Sequence, residues 1–250
     1  MKTFLTLLFT VLLNINIDAQ DIASFIKEGD RWEVLMNEKA AFEKFKEVLR
    51  IQPVNIYALN KCSELCSRIG KRETDVTKRT NYYSAAKTYA GIALKINPNN
   101  SEANCVMAIA LGRTSMDKSG KEKISTAKEI KKHVDAAIKN DPMNFKAWHV
   151  LGRWNYELST LNMLERGAVK ILFGGLPKAS LTESIMAFEK SKSLAAGFIL
   201  NYFEMARAYK KNDQRDKAIG TLTAMLLLPN QTEDDETIKT DGRKLLKQWQ

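Results

Sequence analysis

The side chains able to do chemistry in this 250-residue chain are few, and their spacing argues against most reactions. His133 and His149 stand 16 positions apart, with no ligand set at the spacing a zinc site needs. Cys62 and Cys66 lie one helical turn apart, and Cys105 completes an odd count; without further Cys or His partners they read as small core residues. A redox role would require a depressed thiol pKa that nothing nearby supplies. Gly174-Gly175 is not a phosphate loop, since the pattern G-x4-G-K-[ST] is absent. Thr232-Glu233-Asp234-Asp235-Glu236 lacks the spaced ligands and turn glycine of a calcium loop, and reads as an acidic helix start. No nucleophile motif occurs. The expectation is a non-enzyme with no cofactor and no metal, the alternative being a hydrolase of unrecognised type.

Binding chemistry is better represented. Once a helical-repeat register is fixed, the outward positions of each first helix are Asn60 and Arg68, then Arg113, then Lys146, His149, Arg153 and Tyr156, then Phe203, Arg207 and Lys211. Such a wall is basic with some aromatic character. It suits an acidic or carboxylate-ended peptide segment, because arginine offers a planar fork to carboxylates and lysine a mobile point charge. The net charge of +10 points the same way and equally allows an envelope-surface tether to anionic lipid or glycan. Nucleic acid is not expected, since the basic residues are spread along all helices without a recognised motif.

The elements that must position these residues are helices. Apolar residues recur at helical spacing nearly throughout, and no alternating segment is long enough for a sheet. Pro53, Pro98 and Pro142 each follow an amphipathic run, as expected of a residue that cannot continue a helix. Upstream of each, small or apolar residues return at matched offsets: Ala41, Phe45 and Val48; Ala86, Ala90 and Ala93; Ile130, Val134 and Ala137. That is the second-helix pattern of the tetratricopeptide repeat. Its first-helix pattern appears as Trp148-x2-Leu151-Gly152, with Asn155 where Tyr is usual and Tyr156 beside it. Phe25, Gly29 and Trp32 open a first unit, and Tyr202, Met205, Ala206, Tyr209, Ala218, Leu222 and Met225 fit a last one.

The predicted fold is an all-α, tetratricopeptide-like solenoid of about five hairpins, at about 22–54, 55–99, 100–143, 144–197 and 198–230, closed by a capping helix over 232–249 with Thr232 as its N-cap. The proline intervals of 45 and 44 residues exceed the standard unit. The excess is placed at 68–81, 115–123 and 160–180; longer hairpins of the HEAT type would need no insertion. In the last segment Leu161, Leu164, Val169, Ile171, Leu172 and Phe173 are too apolar for a solvated loop. They predict an extra helix folded back on the stack, or a face turned to a partner or membrane surface. Arg153, Glu165 and Arg166 are candidates for a buried ionic link that fixes it.

Ahead of the repeats, Lys2, the apolar run Phe4 to Leu13 and the polar stretch to Ala19 have the order of a secretory signal cleaved after Ala19. The run is about half the roughly 20 residues that cross a bilayer, so an uncleaved anchor is the lesser reading. Residues 20–250 then form one exported domain, periplasmic or secreted, whose contact with a membrane is peripheral.

The fourth unit carries a resemblance. Leu151-Gly152-Arg153-Trp154, with Leu164-Glu165-Arg166, Leu172-Phe173-Gly174 and Pro177, resembles the regulator of microtubule dynamics family, as does the tail Leu228-Pro229-Asn230-Gln231-Thr232-Glu233-Asp234-Asp235. It covers roughly Asp21 onward and, together with the expected signal, suggests a bacterial, exported relative. The resemblance implies a helical-repeat scaffold and, in animal members, association with microtubules or organelle membranes. It offers no catalytic residues to carry over.

Overall fold

The computed structural model describes residues 21–115, 120–163, 165–167, 170 and 179–250. The expected signal at 1–19 lies outside the described residues, as do Leu164, Val169, Ile171, Leu172 and Phe173 of the apolar insert. No helix among the described residues is long and apolar enough to cross a membrane.

The described chain is helical, without strands, and runs as five antiparallel pairs and a final helix. They are α1 (21–34) with α2 (Glu38–Ile51), α3 (Ile56–Arg72) with α4 (Val76–Ile96), and α5 (Ser101–Thr114) with α6 (Gly120–Asn140). Then come α7 (Phe145–Ser159) with α8 (Leu181–Leu194), α9 (Ile199–Lys211) with α10 (Arg215–Leu226), and α11 (Asp235–Trp249). The first helices α3, α5, α7 and α9 touch one another in sequence, which puts them on the inner side of the curve.

One turn is written three times. Pro53-Val54-Asn55, Pro98-Asn99-Asn100 and Pro142-Met143-Asn144 each end a second helix and begin the next first helix. Asn55 Oδ1 accepts the Ala58 N–H at 3.0 Å, Asn100 Oδ1 that of Ala103 at 2.8 Å, and Asn144 Oδ1 that of Ala147 at 3.0 Å. Each bond satisfies an amide that a helix start leaves unpaired. All three alanines are fully buried, so the same turn also sets how closely successive pairs nest.

Small residues fix the approach within pairs. A Cβ on Gly152 would stand 2.6 Å from the Phe188 ring, and one on Gly29 2.7 Å from Phe45, the same first-helix and second-helix positions in units four and one. Phe45 and Phe188 are wholly buried. Gly152→Val is therefore expected to destabilise by about 1–3 kcal/mol through overpacking, more than helix propensity offsets. An unchanged midpoint in urea would contradict that close contact. Cys62, Cys66 and Cys105 are free thiols in this core. Burial pushes all three pKa values up, Cys66 to about 12, which removes the reactive thiolate.

Two expectations need correction. The surplus length placed at 68–81 is not an insert: α3 runs on to Arg72 and α4 starts at Val76, so the second unit gains its length from longer helices. Thr232 does not cap the last helix, which begins at Asp235. The Asp235 carboxylate instead accepts the N–H groups of Gln231 and Thr232, each at 2.8 Å, and folds the preceding turn. From there α11 covers α9 and α10, with Ile238 and Gly242 seated against Leu222 and Met225.

Candidate partner-binding groove

The predicted wall residues share the inner helices, yet most meet a carboxylate from a neighbouring pair. Glu38, wholly buried at the start of α2, accepts from Arg68, and from Arg72 at 2.5 Å. Arg68 also lies 3.7 Å from Glu64 and 3.9 Å from Glu33. Lys146 of the fourth unit bridges Glu64 at 2.7 Å and Glu102 at 2.6 Å. Burial pushes the Glu64 carboxyl up, but Lys146, Arg68 and Lys61 outweigh it and hold the group at about 2. Burial likewise lowers Lys146, and its two glutamates more than reverse this, so it stays charged.

The same cluster ties the far end of the stack to the near one. Glu233 Oε1 accepts the backbone N–H of Glu38 at 2.6 Å, and its carboxylate lies 3.2 Å from Arg72. Asp234 meets Arg72 at 3.3 Å and Lys71 at 3.5 Å. The acidic run ahead of α11 thus serves as a strap onto the first two pairs as well as a helix start.

Further along the wall, Arg153 lies 3.4 Å from Glu157 and 3.8 Å from Glu204, while Arg207 reaches Glu204 at 2.8 Å and stacks over Tyr156 with 5.2 Å to the ring centre. Phe203 packs beside Ile199 and Leu222, and Lys211 is exposed at the end of α9. Arg113 differs from these. Its Nε is sealed from solvent without a hydrogen-bond partner, and no carboxylate among the described residues pairs with it.

Asn60 lines a cavity of about 570 Å³ with Tyr57, Lys61, Asn100, Glu102 and Lys146. Its Nδ2 donates to Asn100 Oδ1 at 3.2 Å, while its own Oδ1 is buried and unpartnered. His149 leaves the set. It is buried between the Phe188 and Phe198 rings, and its Nδ1 lies 3.1 Å from Asn201 Oδ1. Burial, then the charge of Arg153, brings its pKa down to about 3 against the hydrogen bond with Asn201.

The ionic link expected among Arg153, Glu165 and Arg166 does not form. Glu165 is exposed and accepts the Asn162 N–H at 2.8 Å, and Arg166 donates to the carbonyls of Ser159 and Leu161. A short local turn satisfies both side chains, so neither reaches Arg153. Sequence reading also missed the acids of the wall. Glu64 and Arg68 at i, i+4 and Glu204 and Arg207 at i, i+3 were the available signals, since such pairs face each other on a helix.

Residues 25–250 match the family model described as regulator of microtubule dynamics protein 1-3. Regulator of microtubule dynamics protein 3 of Xenopus laevis is 30% identical over 173 residues, covering 69% of this chain and 37% of that protein. Protein 2 of Homo sapiens is 25% identical over 220 residues, or 88% of this chain and 51% of that one. Protein 1 of Bos taurus is 26% identical over 225 residues, or 86% and 71%. The chain therefore spans about half the length, or less, of these type 2 and type 3 relatives. Among solved structures, a thermophilic tetratricopeptide-repeat protein of Thermus thermophilus superposes with a TM-score of 0.64 at 13% identity, over 90% of this chain and 98% of that one. Yeast Tom70 superposes with a TM-score of 0.57 at 14% identity, over 94% of this chain and 41% of that one. The fold is a tetratricopeptide-like helical solenoid.

Proposed function

We propose that this chain, which belongs to the regulator of microtubule dynamics protein 1-3 family, is a non-catalytic scaffold that holds an acidic protein segment along the inner wall of its helix stack. One observation carries the reading: contiguous first helices bring Arg68, Arg113, Lys146, Arg153 and Arg207 onto one wall, beside an open cavity with an unsatisfied Asn60 amide oxygen. An extended segment has backbone N–H groups for that oxygen and carboxylates for the guanidiniums. Because most wall cations already hold glutamates, a partner's acids must compete with them. Affinity then falls steeply with salt, and selectivity comes from the positions where that competition is weakest.

The site of action in this reading is the bacterial envelope, periplasmic or secreted, on the strength of Lys2, the Phe4 to Leu13 run and Ala19. Crosslinking in the native host, followed by fractionation and mass spectrometry, tests both parts. The expected result is an acidic protein partner recovered from the envelope fraction with a chain lacking residues 1–19, and lost when Arg113, Arg153 and Arg207 are all changed to Ala. A triple variant that keeps every partner would remove the groove from the account, and a cytosolic chain retaining its first 19 residues would remove the export.

A further inference from the structure

The wall is not uniformly basic, and its charge pairing singles out one place. Of the predicted wall cations, Arg68 and Lys146 are each clamped by two or more glutamates and Arg207 by Glu204, while Lys211 stands exposed at the end of α9. Arg153 holds its acids loosely, at 3.4 and 3.8 Å, and Arg113 holds none. A sealed guanidinium nitrogen without a partner is destabilising, and such groups are rare enough in folded proteins to demand a reason. Burial, reinforced by Arg153 and opposed by Tyr83, Asp234 and Glu204, pulls the Arg113 guanidinium below the usual arginine range. The carboxylates that act on Arg113 through space, Asp234 and Glu204, make no ion pair with it, and Glu204 is already shared by Arg207 and Arg153. The nearby Asp234 is already engaged by Arg72 and Lys71.

We propose that Arg113, with Arg153 beside it, is the seat for one carboxylate of the bound segment. The inference rests on the peptide-binding reading above and narrows it from a wall to a single anchor. One unpaired guanidinium fits a monoanion. A phosphate group brings ~1.5 to 2 negative charges at neutral pH and would meet the Glu204 carboxylate with charge left over. The planar guanidinium fork and the carboxylate match in geometry as well as sign, so the anchor fixes the register of the segment. The structure accepts an unpaired cation here because its partner arrives with the ligand.

Hexaglutamate titrated into the full chain by calorimetry at low salt tests this, with hexaglutamine, inorganic phosphate and vesicles of phosphatidylglycerol in phosphatidylcholine as parallel probes. The wild type is expected to bind hexaglutamate in preference to the other three. Arg113→Met should weaken that binding by about tenfold or more, as loss of a charge-assisted contact does. Arg113→Lys, which keeps the charge without the fork, should fall between the two, and Lys87→Met on the exposed side of the second helix α4, away from the wall, should bind like the wild type. Since the removed cation has no internal partner, Arg113→Met should melt at or above the wild-type temperature. If Arg113→Met binds hexaglutamate normally, the anchor is wrong while the groove reading stands. If the wild type ignores hexaglutamate, both fall. Tighter binding of phosphate or vesicles that depends on Arg113 would overturn the carboxylate assignment, and a marked drop in melting temperature would show that Arg113 holds the fold instead.

Discussion

Glu38→Gln is expected to lower the unfolding free energy by about 3–5 kcal/mol. The carboxylate is wholly buried and accepts from both Arg68 and Arg72, whose side chains are 19% and 26% exposed. Removing its charge leaves two guanidiniums facing each other across a neutral amide, with only the outer acids Glu33 and Glu64 beside Arg68 and Glu233 and Asp234 beside Arg72, and the cost lies in that buried repulsion. Glu233→Gln, at the half-buried outer edge of the same cluster, should cost about 1 kcal/mol or less. Urea denaturation of the two variants measures both, and equal midpoints would show that the cluster is not organised around Glu38.

Acid should unfold the chain in two overlapping stages. His149 has its pKa held at about 3 in the fold, against about 6.5 in an unfolded chain, so the folded state keeps the ring neutral. Above pH 6.5 neither state carries the proton and this contribution to stability is complete. As pH falls below 6.5 the unfolded chain takes up a proton that the fold refuses, and about 3 kcal/mol is lost by pH 4. Glu64, held at about 2 in the fold, adds a second loss that starts near its ordinary value of 4.5 and continues toward pH 2. His149→Gln keeps a neutral amide beside Asn201 and should flatten the limb between pH 6.5 and 4 while leaving the Glu64 limb in place. A variant whose stability still falls as steeply over that interval would assign the effect to other groups.

These two effects also show where sequence reading reached and where it stopped. The helix pairs were legible because the rule behind them is local. Ala41, Phe45 and Val48, or Ala86, Ala90 and Ala93, return at spacings that follow from 3.6 residues per turn, and all six are fully buried. The turn Pro-x-Asn with its alanine three residues on was equally visible and encodes both a cap and a contact. His149 was misplaced because register alone assigns a residue to a face, whereas a ring near the seam of two pairs can tuck between Phe188 and Phe198. The partners of the wall cations were hidden for another reason. Lys146 finds Glu64 at a separation of 82 residues and Glu233 finds Glu38 at 195, distances over which no periodicity in the sequence carries information. The elongated second unit was hidden because a proline interval reports the length of a hairpin without saying whether loop or helix fills it.

A helical solenoid is usually a quasi-linear object: each repeat leans on its neighbours, and melting can begin at either end and travel inward. The strap from Glu233 and Asp234 to Glu38, Lys71 and Arg72 changes that topology of forces. It works like a buckle on a belt: fraying at either end has to break these pairs, which ties the outermost hairpins to each other.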